Sequence, residues 1–370
     1  MRDEMNVAKE IASTYEQYKT QFDICLERVP EDALSAEKER VVRDFLEVTA
    51  CSDFSAGEYF MYDFAHKSRM VQSTFLPDKA TTEMFYRFND NRSLSFNTRD
   101  KWKVYRYLMP YYRRKICPVT GPEHKNDLFT LLAEKHRLFC KPLCGSLGEK
   151  TRVIKDTDSL TDEAFDKLLA FYAPEGFLAE ETIGQSEFMA RLNPTSVNTL
   201  RIMTIRMDDR ICMYFEVRIG EMFSIVDNLG HRSLICGVEP QDGTIISAFN
   251  KNRTAFPTHP QTRARVIGER IPRFSEAKEL AKELAAYFPG YRYLAWDLAL
   301  TEEGWVIVEL NGKGGVCGFQ EVYNCGIRHD VEGYLAELKK PTEFSGLLTE
   351  GYIPKQSGVS CPHAEYPFPA

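Results

Sequence analysis

The feature that most restricts what this chain can fold into is a pair of apolar segments, Tyr293 to Leu300 and Trp305 to Leu310, separated by Glu302-Glu303-Gly304. Strand-forming runs on either side of a short turn that ends in glycine predict an antiparallel hairpin. Three polar groups interrupt it: Asp297 on the first run, Glu309 on the second, and Asn311 two residues further on. Residues i and i+2 of a strand share a face, so Glu309 and Asn311 point together, and the hairpin brings Asp297 opposite them. A carboxylate between Leu294-Ala295-Trp296 and Val306-Ile307-Val308 needs a partner. An all-oxygen set of this kind suits a hard cation such as Mg²⁺, which keeps waters and shares phosphate oxygens with a substrate. The alternative is a solvated hairpin with incidental acids.

Three further segments carry chemistry. Lys141 precedes Gly145-Ser146-Leu147-Gly148, where an ammonium and close-approaching backbone N–H groups suit polyphosphate, although the pattern is not GxxxxGK[ST] and also reads as an ordinary turn. The run Phe177 to Ile183 is an apolar strand ending in Glu180 and Glu181. Its backbone, through Ile183, suits the edge of an adenine ring, with Glu187 near the ribose hydroxyls; it also reads as a plain strand end. Arg201 and Arg218 stand among Leu, Ile and Phe on neighbouring strands, followed by Asp227-Asn228. Their planar forks suit phosphate or carboxylate, with salt bridges to Glu216 or Asp227 as the structural alternative.

Around these segments the chain divides by pattern. Residues 1–95 read as a helical extension, with Val41, Val42, Phe45, Leu46 and Val48 near helical spacing. A helix is expected from Phe96 to Tyr112, ending near Pro110, then strands on both sides of the Gly145–Gly148 loop, and a helix from Thr161 to Phe171 with Thr161 at its N-cap. Runs at Thr199–Arg206, Ile211–Ile219, Phe223–Val226 and Ile245–Ala248 predict an antiparallel sheet, with a helix from Ser275 to Phe288 before the final hairpin. Lobes over 96–180 and 181–345 and a tail over 346–370 complete the expected division.

Composition narrows the function classes. A formal charge of −7 gives no global reason to expect nucleic acid as a partner. The charged N-terminus lacks the apolar core of a signal peptide, and no stretch approaches about 18 uninterrupted apolar residues, so a cytoplasmic protein without a membrane span is expected. The ten cysteines are scattered, without a CxxC pair, and read as reduced thiols.

In this order the segments resemble the ATP-grasp superfamily, most closely its sugar-transfer-associated group, related to α-L-glutamate ligases. The resemblance runs from about Lys101 to Gln320. It rests on Lys141-Pro142 with Gly145 and Gly148, the run Asn193 to Arg201, Val226-Asp227-Asn228, Thr258-His259-Pro260, Trp296-Asp297, and Glu309-Leu310-Asn311, with Glu58-Tyr59-Phe60 in the extension. It implies an α+β ATP-grasp fold, two α+β lobes clasping ATP. Lys141, with Gly145, Ser146 and Gly148, would sit at the phosphates, Glu180, Glu181 and Ile183 at adenine, Glu187 at ribose, and Asp297, Glu309 and Asn311 on Mg²⁺. Arg201, Arg218 and Asn228 match residues that related ligases keep near the transferred phosphate and the acyl group. Lys101 or Lys103 matches an upstream lysine, and His259 and Lys313 are further candidates for substrate contact.

The expected activity is ATP- and Mg²⁺-dependent activation of a small-molecule carboxylate as an acylphosphate for capture by an amine, in a polysaccharide or sugar-linked pathway. A kinase on the same fold and a nucleotide-binding module without turnover are the alternatives. The oligomeric state is left open.

Overall fold

The computed structural model describes residues 2–89, 98–145, 150–156, 160–221, 233–250, 252–349, 353 and 361–367. The chain forms two compact units, one of Met1–Phe88, Phe249–Ala255 and Gly315–Pro362, the other of Asn89–Ala248, Phe256–Gly314 and His363–Ala370.

The first unit is helical. Its main helices are Arg2–Gln17, Lys19–Leu26, Leu34–Cys51, Ala56–Met61, Ala80–Phe88, Cys317–Tyr323 and Arg328–Glu337. Of the apolar positions at helical spacing, Val41, Val42, Phe45 and Val48 are buried. They meet an aromatic cluster in which Phe45 packs on Phe22 and Tyr59 edge to face, with ring centroids 5.3 and 5.1 Å apart. Burying each such ring contributes about 1.5–3 kcal/mol. Glu58 makes a capping box with Ser55 and accepts the Asp78 N–H at 2.6 Å, so its carboxylate serves local structure. The helical part is not confined to the first 95 residues. Gln320 accepts the Leu76 N–H at 2.8 Å, and Arg328 donates to the carbonyls of Ser73 and Leu348 at 3.0 and 2.8 Å, which ties residues 317–348 into it.

The second unit is α+β. A four-stranded sheet has the order β1-β4-β2-β3, from Ile116–Val119 (β1), Arg137–Pro142 (β2), Arg152–Lys155 (β3) and Phe177–Glu181 (β4). A second sheet has the order β10-β9-β5-β6-β7-β8, with β11 on β6: Thr199–Arg206 (β5), Arg210–Gly220 (β6), Ser233–Val238 (β7), Ile245–Phe249 (β8), Tyr293–Thr301 (β9), Gly304–Asn311 (β10) and Ala364–Pro367 (β11). β5 and β6 are almost wholly buried, with Arg201, Glu216 and Arg218 buried among their apolar residues.

Helix Phe274–Tyr287 packs on this second sheet, its Phe274 ring 5.1 Å from that of Phe215. Thr161 caps helix Asp162–Phe171 by accepting the Ala164 N–H at 3.2 Å. The helix expected from Phe96 is described from Lys101 to Tyr112, capped by Asp100 and kinked at Leu108, two residues before Pro110. Helix Lys125–Lys135 and strands β1, β7 and β11 have no counterpart in the sequence reading. The expected strand Phe223–Val226 lies outside the described residues. All ten cysteines are free, and no helix among the described residues is long and apolar enough to cross a membrane.

Candidate active site

An open cleft of about 380 Å³ lies within the second unit. One wall comes from β2, β3 and β4, the other from β5, β9, β10 and the loop Pro194–Val197.

The hairpin supplies the acidic side. β9 and β10 pair in register from Gly304↔Thr301 to Ile307↔Leu298, then slip by one residue at Val308, so that Glu309 stands opposite Asp297. Without that bulge Val308 would oppose Asp297 and Glu309 would turn to the other face. The row continues across the sheet, Asp297↔Arg201 on β5 and Arg201↔Glu216 on β6, giving four charged residues in line.

Within that row Arg201 donates Nε and Nη2 to the two oxygens of Asp297, each at 2.7 Å. Asn311 Nδ2 donates to Asp297 Oδ2 at 2.9 Å. Burial pushes the Asp297 carboxyl up, but the Arg201 guanidinium outweighs it and holds the group below the usual carboxylate value. Burial likewise works against the charge of Arg201, and Asp297 outweighs it, so the guanidinium titrates above its ordinary value. Arg218 is held by Glu216 on its own strand, Nε to Oε1 at 2.9 Å, which is the structural alternative given above. Neither arginine lines the cleft.

The cationic side comes from Lys101 and Lys141. Lys101 Nζ lies 3.5 Å from Glu309 Oε1 and donates to the Gly145 carbonyl at 2.7 Å. Burial lowers its pKa; Glu309 raises it and Lys141 lowers it further. Lys103 lies outside the cleft with Asp100 at 3.8 Å, so of the two candidates Lys101 is the one at the site. Lys141 Nζ is 2.6 Å from Glu180 Oε1 in an ionic contact and 3.4 Å from the Val308 carbonyl. Gly145 takes a φ of +142°, a conformation side-chain-bearing residues rarely adopt.

Glu180 ends as a strut. Burial raises its pKa, and Lys141 and then Arg114 outweigh that, so the carboxyl sits below the usual value. Its carboxylate is held by Lys141 on one side and Arg114 at 2.7 Å on the other, and its main chain lies within the ladder between β1 and β2. Glu181 pairs with Lys135 at 2.8 Å, and Thr182–Gln185, Ile183 among them, leave the strand and line the cleft. Phe139 and Val153 supply apolar walls.

Several expected residues stand elsewhere. Glu187 is exposed at the start of helix Glu187–Leu192, outside the cleft lining, where its backbone N–H donates to Glu302 at 2.7 Å. His259 is a buried turn residue: its Nε2 faces the Gly220 carbonyl at 3.1 Å, and Nδ1 accepts the Thr262 N–H at 3.2 Å. Lys313 is exposed outside the lining. Ser146, Gly148, Asp227 and Asn228 lie outside the described residues.

Two features escape the sequence. The first is Arg114, whose buried guanidinium joins Glu180 on β4 to the Ile307 carbonyl on β10. The second is an amide network that fixes the loop wall: Gln185 Nε2 donates to the carbonyls of Asn193 and Ser196 at 2.8 and 2.9 Å, while its Oε1 accepts the Asn198 N–H at 3.1 Å. Gly220 stands so close to this wall that a Cβ there would lie 2.2 Å from Ser196 Oγ.

The donor chemistry fits a nucleotide with Mg²⁺. Among the described residues no group of three or more His, Cys, Asp and Glu side chains is placed to hold a metal. A Mg²⁺ site shared with a polyphosphate needs only one or two carboxylates, and Asp297 and Glu309, beside the Asn311 amide and facing two lysines, meet that requirement.

A family model described as sugar-transfer associated ATP-grasp matches residues 119–334, more than half of the chain. No curated protein matches it in sequence. Among solved structures, the ATP-grasp ligase PsnB complexed with minimal precursor, Mg and ADP matches at 17% identity over 68% of this chain and 62% of that one, with a TM-score of 0.39. D-alanyl-alanine synthetase A from Vibrio cholerae O1 biovar eltor matches at 11% identity over 67% and 65%, with a TM-score of 0.42. Carboxyaminoimidazole ribonucleotide synthase from Aspergillus clavatus, complexed with ATP, matches at 12% over 58% and 44%, with a TM-score of 0.34. The chain spans about three fifths of the length of PsnB.

Proposed function

Since the chain belongs to the sugar-transfer-associated ATP-grasp family, we propose that it is an ATP- and Mg²⁺-dependent ligase that joins a carboxylate to an amine, releasing ADP and phosphate. The observation that carries this reading is the facing of Lys101 and Lys141 with Asp297 and Glu309 across one cleft. The substrates are small molecules, and the family description favours sugar-linked ones.

In this mechanism Lys101 and Lys141 neutralise the phosphates, and the main chain from Glu181 to Ile183 meets adenine. Asp297, Glu309 and Asn311 would hold Mg²⁺, which when bound would supply charge neutralisation at the phosphate oxygens. A substrate carboxylate oxygen attacks the γ-phosphorus, the bond to the β,γ-bridging oxygen breaks, and ADP leaves. The amine then attacks the acyl carbon, expels phosphate and loses a proton. No covalent enzyme nucleophile takes part; the residues contribute position and fixed charge. Arg201, paired with both oxygens of Asp297, holds that carboxylate in place.

The test is product analysis of purified protein with ATP, Mg²⁺ and a panel of acids and amines. ADP with free phosphate is expected, dependent on both substrates. ADP alone with a phosphorylated acceptor would replace the ligase by a kinase, and intact ATP binding without any ADP would overturn turnover altogether.

A further inference from the structure

Arg114 follows helix Lys101–Tyr112, and only 4% of its side chain is exposed. Its guanidinium donates Nε and Nη2 to Glu180 Oε2 at 3.1 and 2.7 Å. On the other side Nη1 donates to the Ile307 carbonyl at 2.6 Å and to that of Tyr112 at 3.3 Å, and Nη2 reaches the Val308 carbonyl at 3.4 Å. The carbon of the fork stacks 4.8 Å from the Tyr112 ring. One side chain thus joins β4 of the first sheet to the bulge in β10 of the second.

We propose that Arg114 is a positioning residue for the metal side of the cleft: by gripping the carbonyls of Ile307 and Val308 while anchored on Glu180, it holds the bulge that turns Glu309 toward Asp297. This rests on the nucleotide and Mg²⁺ reading above. The register supports it directly, since the slip between Ile307 and Glu309 is what sets Glu309 opposite Asp297. A ladder without the slip would send Glu309 to the opposite face. Bulges re-aim side chains next to functional sites, but the extra residue needs its backbone groups satisfied, and here cations do that work from outside the ladder.

The role calls for arginine. A planar fork with five donors reaches a carboxylate and two carbonyls at once, whereas a lysine at the same place has a single nitrogen. Lys141 touches the same Val308 carbonyl at 3.4 Å and Glu180 at 2.6 Å, so it retains two anchors when Arg114 is shortened. The metal side should therefore suffer more than the phosphate side.

The experiment compares the full-length wild type with Arg114→Lys and Arg114→Met. ATP affinity is measured by calorimetry without divalent metal, and the affinity of the ATP-loaded protein for Mn²⁺ by electron paramagnetic resonance. Unfolding is followed alongside. For Arg114→Lys the expected result is metal-free ATP binding within about threefold of wild type, and Mn²⁺ affinity lower by about tenfold or more, the range typical of residues that orient ligands from behind. If Arg114→Met does not fold, Arg114→Lys carries the test. Unchanged Mn²⁺ affinity in a folded Arg114→Lys overturns the proposal, and so does a parallel fall of both affinities with folding stability, which is a merely structural role. Wild type that binds no ATP would instead overturn the nucleotide reading on which the proposal rests.

Discussion

Arg201 and Asp297 are cross-strand partners on β5 and β9 whose side chains close a two-point ion pair, both contacts at 2.7 Å, with each residue buried. Removing one partner leaves an uncompensated buried charge. Arg201→Met is therefore expected to destabilise the protein by about 3–5 kcal/mol in urea unfolding. The double variant Arg201→Met/Asp297→Asn is expected to lose clearly less than the two single losses combined; strict additivity would show that the pair is not coupled.

Acid stability should report Glu180. Its folded pKa is lowered, because Lys141 and Arg114 outweigh burial, so its contribution is present above the ordinary value of 4.5 and is lost as pH falls through the folded value. Denaturant unfolding from about pH 6 down to about pH 3 should show stability falling on the acid side. In Glu180→Gln that fall should be shallower, with the remaining slope including Asp297, which is held low in the same way. Identical slopes would remove Glu180 as a source.

Gly220 tests the loop wall. Because a Cβ there would lie 2.2 Å from Ser196 Oγ and 3.0 Å from Asn193 Nδ2, Gly220→Ala must push the Pro194–Val197 wall into the cleft or aside. A cost of about 1–3 kcal/mol is expected from overpacking, with weakened ATP binding. Shortening the neighbour in Ser196→Gly should restore part of both in the double variant.

How much of this was legible in the sequence depends on how local each signal is. Glu309 and Asn311 were readable as a pair because residues two apart on a strand share a face, and the short turn marked the hairpin that carries Asp297, but it is the bulge that brings Glu309 opposite Asp297. The bulge was not readable, because a slip at Val308 leaves the apolar run Val306-Ile307-Val308 looking like any regular strand. Arg114 sits in Arg113-Arg114-Lys115, which reads as a solvated basic stretch, and only the folded chain shows its burial.

The helices at 317–337 join the N-terminal helical unit through buried polar groups, Gln320 and Arg328, which no hydrophobic pattern announces. Strand β1 is four residues long and contains Pro118, and helix Lys125–Lys135 begins without a side-chain cap, so each lacked its usual marker. The family resemblance put the segments in order, and the match over residues 119–334 bears it out.

The most direct test of the central claim, that ATP and Mg²⁺ share this cleft, is thermal unfolding of wild type and Glu309→Ala with ATP, with and without Mg²⁺. A ligand at about a hundred times its dissociation constant stabilises the folded state by about 2.7 kcal/mol, enough to move the midpoint by several degrees. The account predicts a Mg²⁺-dependent rise in wild type that Glu309→Ala abolishes; no rise in wild type, or the same rise in the variant, would contradict it.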